Sequence, residues 1–178
     1  SGEVIRFLYL QTHYRSPINF TDDLVKQAEN TLARIHDFVR IIMQNKEKGV
    51  LHNEIKGFIV RSKEKFEASM DDDFETSGAI AAIFDLIKNV NIFMQINQLS
   101  KEDQEALIEY LKSIDTVFAV IIPKTDNGID DNIKDLIKER ENARKNKNWA
   151  KSDKIRDELK ANGIILEDSS NGTIWKRI

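Results

Sequence analysis

The chain has 178 residues, 40% hydrophobic and 32% charged, with a formal net charge of −3. That balance fits one ordinary globular domain or two small ones, rich in exposed helix surface, and argues against a general binder of nucleic acid. With no cysteine, disulfides, thiolate metal ligands and a cysteine nucleophile are excluded, and no run of 18 apolar residues offers a membrane span.

Ser1, Gly2 and Glu3 lack the basic start of a signal peptide, and a reducing cytoplasm is the expected compartment. Residues 4–12 form a strongly apolar run, expected to be helical, with no cap before it. Pro17 breaks the chain, because the residue before a proline is pushed out of the helical region. Thr21, Asp22 and Asp23 supply capping oxygens for a new helix, whose stripe of Leu24, Ala28, Leu32, Ile35, Val39 and Ile42 follows three-four spacing up to Gly49. Residues 51–70 predict a more charged helix with Ile55, Ile59 and Phe66 inward.

Asp71, Asp72 and Asp73 resemble a metal site in composition, but adjacent carboxylates at a helix start point different ways, and capping of the next helix explains them with less. That helix is expected over 79–95, with Ile80, Ile83, Phe84, Ile87 and Val90 inward. Ser100 to Asp103 reads as a capping-box start to a further helix ending near Phe118. Helices of this length on short connections predict a mainly α, antiparallel up-down bundle over residues 1–122. The three histidines, His13, His36 and His52, are scattered and read as surface or packing residues, with no metal site.

Residues 123–131 are turn chemistry and the candidate linker. Two helices are expected near 130–145 and 148–161, closed by a left-handed cap at Asn162-Gly163. Short strand-like runs at 164–166 and 173–176 flank Ser169-Ser170-Asn171-Gly172, so residues 123–178 predict a small α/β domain with a hairpin. Its charge differs from the rest: residues 123–178 hold 13 basic and 11 acidic side chains, against 14 and 19 in residues 1–122.

Both tryptophans sit in this basic tail. At 100° per residue, Ser152, Ile155 and Leu159 share one helix face, while Trp149 falls with Asp153, Arg156 and Lys160. If Ile174 faces inward, alternation turns Trp175 outward with Thr173 and Arg177. Indoles beside cations suit unpaired bases, which stack on the ring while the cations hold phosphate. The competing reading is that each indole half-buries itself against its neighbours.

The stretch A-R-K-N-K-N-W-A-K-S-D-K-I-R-D-E-L, then N-G-I-I-L-E-D and N-G-T-I-W-K-R, resembles the carboxyl-terminal end of the cysteinyl-tRNA synthetases, a class I family. T-H-Y-R-S-P-I-N-F at residues 12–20 is similar to the segment following that family's catalytic domain, and M-D-D-D-F-E-T at 70–76 resembles its DALR-type helical bundle. The resemblance implies a C-terminal portion in which the terminal α/β domain binds the anticodon of tRNA(Cys) and the bundle acts as spacer and stem contact. Arg144, Trp149, Asp153 and Asp168 stand where the family reads its GCA anticodon; Trp175 and Arg177 lie in the matching terminal motif. Asp153 could instead pair with a nearby Lys or Arg on its helix, and Asp168 could cap the hairpin turn.

The family's H-I-G-H and K-M-S-K-S signatures and its zinc-binding cysteines do not occur in this sequence. The resemblance therefore implies ATP, zinc and magnesium for the whole ligase and no catalytic residue, cofactor or metal here. The expected partners are tRNA(Cys) and a catalytic domain in cis, with no membrane and a monomeric state. His13, Tyr14 and Arg15 could touch the tRNA or that domain; otherwise Tyr14 packs and Arg15 pairs with an acid. Two other readings remain: a related ligase joining cysteine to an amino-sugar, and a helical protein–protein interaction module whose tryptophans anchor a partner.

Overall fold

The structure is a computed structural model that describes residues 1–44, 50–123, 131–169 and 172–177. It divides into two compact units, Ser1–Pro123 and Lys124–Ile178. The first contains helices α1 (Gly2–Leu10), α2 (Asp22–Gln44), α3 (Asn53–Asp71), α4 (Thr76–Met94) and α5 (Lys101–Phe118). The second contains α6 (Asp131–Lys145), α7 (Trp149–Ala161), β1 (Ile164–Ser169) and β2 (Gly172–Arg177). The expected terminus of α2 at Gly49 and most of the linker, residues 124–130, lie outside the described residues.

Several helix starts have a local cause. Ser1 caps α1 by accepting from Val4 N–H at 3.4 Å, which corrects the expectation of an uncapped start. Thr21 Oγ1 accepts from Leu24 N–H at 3.3 Å. Ser100 and Asp103 form a reciprocal capping box, with Asp103 N–H on Ser100 Oγ at 3.0 Å and Ser100 N–H on Asp103 Oδ2 at 2.8 Å. The aspartates at 71–73 do not cap α4, as the sequence led us to expect. Asp71 closes α3, and Glu75 caps instead, accepting from Gly78 N–H at 2.6 Å and from the Ser77 hydroxyl. Two successive residues in the left-handed region, Asp73 (φ 51°) and Phe74 (φ 55°), turn the chain sharply enough to bring Glu75 over the helix start.

The stripes converge on one core. Ala28, Leu32, Ile35, Val39 and Ile42 of α2 are buried with Ile55 and Phe66 of α3, Ile83, Leu86 and Val90 of α4, and Leu107, Leu111 and Ile114 of α5. Each such side chain contributes roughly 1.5–3 kcal/mol on burial. By length and composition α4 is apolar enough to cross a bilayer, but eight of its residues lie in this core. Two polar devices hold the packing. Tyr110 donates to Ser62 Oγ at 3.0 Å, and Ser62 donates to the Ala82 carbonyl at 3.0 Å; burial raises the Tyr110 pKa. Asp103, fully buried, also accepts from His52 N–H at 2.7 Å and from His52 Nδ1 at 2.5 Å. Burial pushes its carboxyl up, but the hydrogen bonds from His52 and Ser100 outweigh it and hold the pKa below the usual range.

Beyond α5 the chain turns at Ala119, in the left-handed region at φ 54°. Arg6 donates to the Ala119 carbonyl at 3.2 Å, and His36 Nε2 to the Val120 carbonyl at 2.8 Å. The residues after the bundle are thus tied back to α1 and α2.

Candidate nucleic-acid interface

In the second unit α6 and α7 pack together, joined by a tight turn. Asn146 N–H donates to Asn142, Lys147 N–H to Arg144 and Asn148 N–H to Ala143 at 2.8–3.0 Å. Lys147 takes a left-handed conformation at φ 56°, a cost that a non-glycine residue bears only where the surrounding hydrogen bonds hold it. Asn148 then caps α7, accepting from Lys151 N–H at 3.2 Å. This turn brings Arg144, in the last turn of α6, and Trp149, the first residue of α7, to the same end of the pair.

The buried face of α7 is the one its periodicity predicts: Ser152, Ile155 and Leu159. Gly163 (φ 75°) reverses the chain after α7, and the antiparallel hairpin follows with Leu166 opposite Trp175 and Asp168 opposite Thr173. Ile155, Leu159 and Ile164 form the centre of a second core, onto which Ile133, Leu136, Ile137, Leu166 and Trp175 pack.

The two indoles therefore part company. Trp149 is 57% exposed, on the polar side of α7 where the helical wheel put it. Trp175 packs on the core, against the expectation that it faces outward. Period-two alternation offered either Ile174 or Trp175 as the inward residue, and the larger indole packs on the core beside its cross-strand neighbour Leu166.

The polar side of α7 is laced with exposed ion pairs. Asp153 meets Arg156 at 3.2 Å, one helical turn away, and Lys151 meets Glu139 of α6 at 2.6 Å. Such pairs contribute about 0–1 kcal/mol and exchange readily for a stronger partner. Arg144, in the last turn of α6, is half-buried. The side chains of Asp168 and Arg177 lie outside those described, so only the backbone places of these two are known, in β1 and β2. Among the described residues, no group of three His, Asp or Glu could hold a metal ion.

Two comparisons with known proteins bear on these units. Residues 65–121 match the DALR domain family, and residues 126–175 match the cysteinyl-tRNA ligase anticodon binding domain family. Over nearly its whole length the chain is similar to the C-terminal part of cysteine–tRNA ligases. It is 40% identical to the cysteine–tRNA ligase of Oceanobacillus iheyensis over 98% of its own length, and 41% identical to that of Lachnospira eligens over 98%. Against the Halalkalibacterium halodurans enzyme it is 38% identical over 99%. It spans only 38–39% of the length of these curated relatives, matching their C-terminal part.

Three features of the second unit escaped the sequence reading. Arg140 is 3% exposed; its place after Ile133, Leu136 and Ile137 continues the inner stripe of α6, a signal that its charge masked. Lys147 has no sequence signature for its left-handed backbone beyond the flanking asparagines. The Lys151–Glu139 bridge joins two helices whose register the sequence does not fix.

The segment His13-Tyr14-Arg15 docks on the corner at Asp73. Tyr14 donates to Asp73 Oδ1 at 2.8 Å, Arg15 reaches the same oxygen at 3.0 Å, and His13 stacks on Tyr14. The hydrogen bond to Asp73 raises the Tyr14 pKa. Arg15 pairs with an acid, as one reading expected, whereas Tyr14 stays exposed and is not packed into the core.

Proposed function

We propose that this chain is the tRNA-binding portion of a cysteine–tRNA ligase, reading the anticodon of tRNA(Cys) with its terminal α/β unit while the bundle acts as spacer and stem contact. The observation that carries the reading is Trp149, more than half exposed among cations at the turn between α6 and α7, within the stretch that matches an anticodon binding family. A ring held there offers a stacking floor for an unpaired base. Arg144 presents a planar fork to an acceptor edge or a phosphate. Asp153 exchanges its exposed partner Arg156 for the N–H donors of guanine or the amino group of cytosine, and Asp168, on β1, supplies a second acceptor. Trp175 and Arg177 support from the hairpin, the first by holding it on the core.

A wrong base leaves one of these acceptors or donors unmatched, which discriminates more strongly than loss of stacking. The ligation chemistry belongs to the rest of the enzyme, with its ATP, zinc and magnesium, as a cytoplasmic monomer. The match over residues 126–175 weighs against the amino-sugar ligase reading, whose members lack the terminal module.

The test is a titration of the chain with an anticodon stem-loop bearing GCA and with one bearing a swapped triplet. Tighter binding of the first supports the reading; equal affinity for both overturns it.

A further inference from the structure

Residues 1–122 carry more acid than base, yet one apolar groove on the bundle reverses that sign. It lies between α2 and α4, has a volume of about 650 Å³, and is lined by Thr31 and Arg34 on one bank and Phe84, Ile87, Lys88 and Ile92 on the other. The Arg34 guanidinium sits 5.2 Å from the centre of the Phe84 ring, which holds the cation at the rim over an apolar floor. Neither Arg34 nor Lys88 meets a carboxylate among the described residues, and the groove's own acid, Asp85, is taken by Lys65 at 2.6 Å.

The apolar surface continues beyond the groove. Ile92 is 50% exposed, and Ile96, four residues further, is 84% exposed. Ile41, two turns after Arg34 and so on the same face of α2, is 38% exposed. A run of exposed aliphatic side chains with cations beside it is unlike a solvated helix face. Phosphates would satisfy the cations but leave the isoleucines uncovered, so the chemistry favours a protein over RNA.

We propose that this groove docks an amphipathic helix of a protein partner. The apolar stripe of that helix covers Phe84 and Ile92, over the floor closed by the buried Ile87, and flanking glutamates or aspartates meet Arg34 and Lys88. Helices recognise such grooves through residues spaced three and four apart, and complementary charge sets which helix is accepted. The site is separate from the anticodon unit and independent of that reading.

The probe is a synthetic helical peptide with leucines at three-four spacing flanked by glutamates, set against the same peptide with lysine for glutamate. Isoleucine methyl NMR reports where each binds. The glutamate peptide is expected to shift the Ile87 and Ile92 methyls and to bind at least about tenfold more tightly than its lysine counterpart. The double variant Arg34→Glu/Lys88→Glu, with both changes at the rim so that the core is spared, is expected to reverse the preference. A second copy in the groove would appear as concentration-dependent broadening of those methyls without peptide. That result would overturn the proposal, as would equal binding of both peptides, shifts away from the groove, or displacement of the peptide by an RNA stem-loop.

Discussion

Trp149→Ala separates binding from folding. The indole is 57% exposed, so a little under half of its roughly 200 Å² is hidden by the fold. At about 25 cal/mol per Å² that is worth at most ~2 kcal/mol. A compact denatured state already hides part of this, and alanine is the better helix former by about half a kcal/mol. The expected net cost is therefore on the order of 1 kcal/mol of stability. If the ring stacks on a base, the same change removes ~1–3 kcal/mol of binding, a rise in Kd of roughly 5- to 150-fold. Anisotropy of a labelled GCA stem-loop, measured well below the melting temperature of both proteins, reads binding alone. Trp149→Phe keeps a stacking ring and should recover most of the loss. Binding of Trp149→Ala within about twofold of the parent would refute the stacking role, and a phenylalanine variant as weak as alanine would show that the ring acts by shape and not as a floor.

Trp175→Ala is expected to do the reverse, lowering the thermal midpoint of the terminal unit by removing an indole that packs against Ile155, Leu159 and Ile164, at about 2–4 kcal/mol. Folded protein at low temperature should bind RNA with little change, by the same anisotropy measurement. Asp103→Asn should destabilise the bundle by about 2 kcal/mol in urea titrations at neutral pH, since one of the two accepting oxygens becomes a donor facing the N–H of either His52 or Ser100. Because the folded carboxyl lies below its ordinary value, its contribution is full above the unfolded pKa, about 4, and is lost as pH falls through the folded one. The gap between parent and variant should therefore close in acid and be constant above pH ~5. Gly78→Ala is a contest of signs. Helix propensity alone predicts a gain of about 1 kcal/mol, whereas a Cβ there collides with the Glu75 carboxylate that caps α4 and with Ser69 Oγ. A lowered melting temperature is expected, and a raised one would show that the cap is dispensable.

Much of this was readable in the residues because helices announce themselves through spacing. The buried face of α2 is the predicted stripe from Ala28 to Ile42, extended by Phe38, with Leu24 only partly buried against it, and α7 buries the three residues its wheel selected. The capping box at Ser100 was legible because its two partners are neighbours in sequence. What failed was decided by distant contacts or by ties in local preference. Asp71 to Asp73 are good capping residues, yet the left-handed pair Asp73-Phe74 carries the chain one step past them and leaves Glu75 to cap. No local pattern could show that Asp73 would instead receive Tyr14 and Arg15 across 59 and 58 positions. Strand alternation could not choose between Ile174 and Trp175, and the packing against α7 chose for it.

The partition of the two indoles gives α7 a division of labour that explains why the tail is basic without being strongly so. One face must be fixed. Ser152, Ile155 and Leu159 anchor it, Trp175 closes over that core from the hairpin, and the Lys151–Glu139 bridge ties it to α6. On the proposed anticodon-binding reading the other face stays available, and there the charges are held in exposed pairs such as Asp153–Arg156. A cation paired in this way adds little non-specific attraction for phosphate, while a carboxylate paired in this way is kept oriented and can be released cheaply. A uniformly cationic face would bind any RNA more tightly and tell anticodons apart less well, because phosphates carry no base identity. Neutralising Asp153 should therefore raise affinity for mismatched stem-loops more than for GCA. An equal gain on every stem-loop would mean the pair serves only to restrain Arg156.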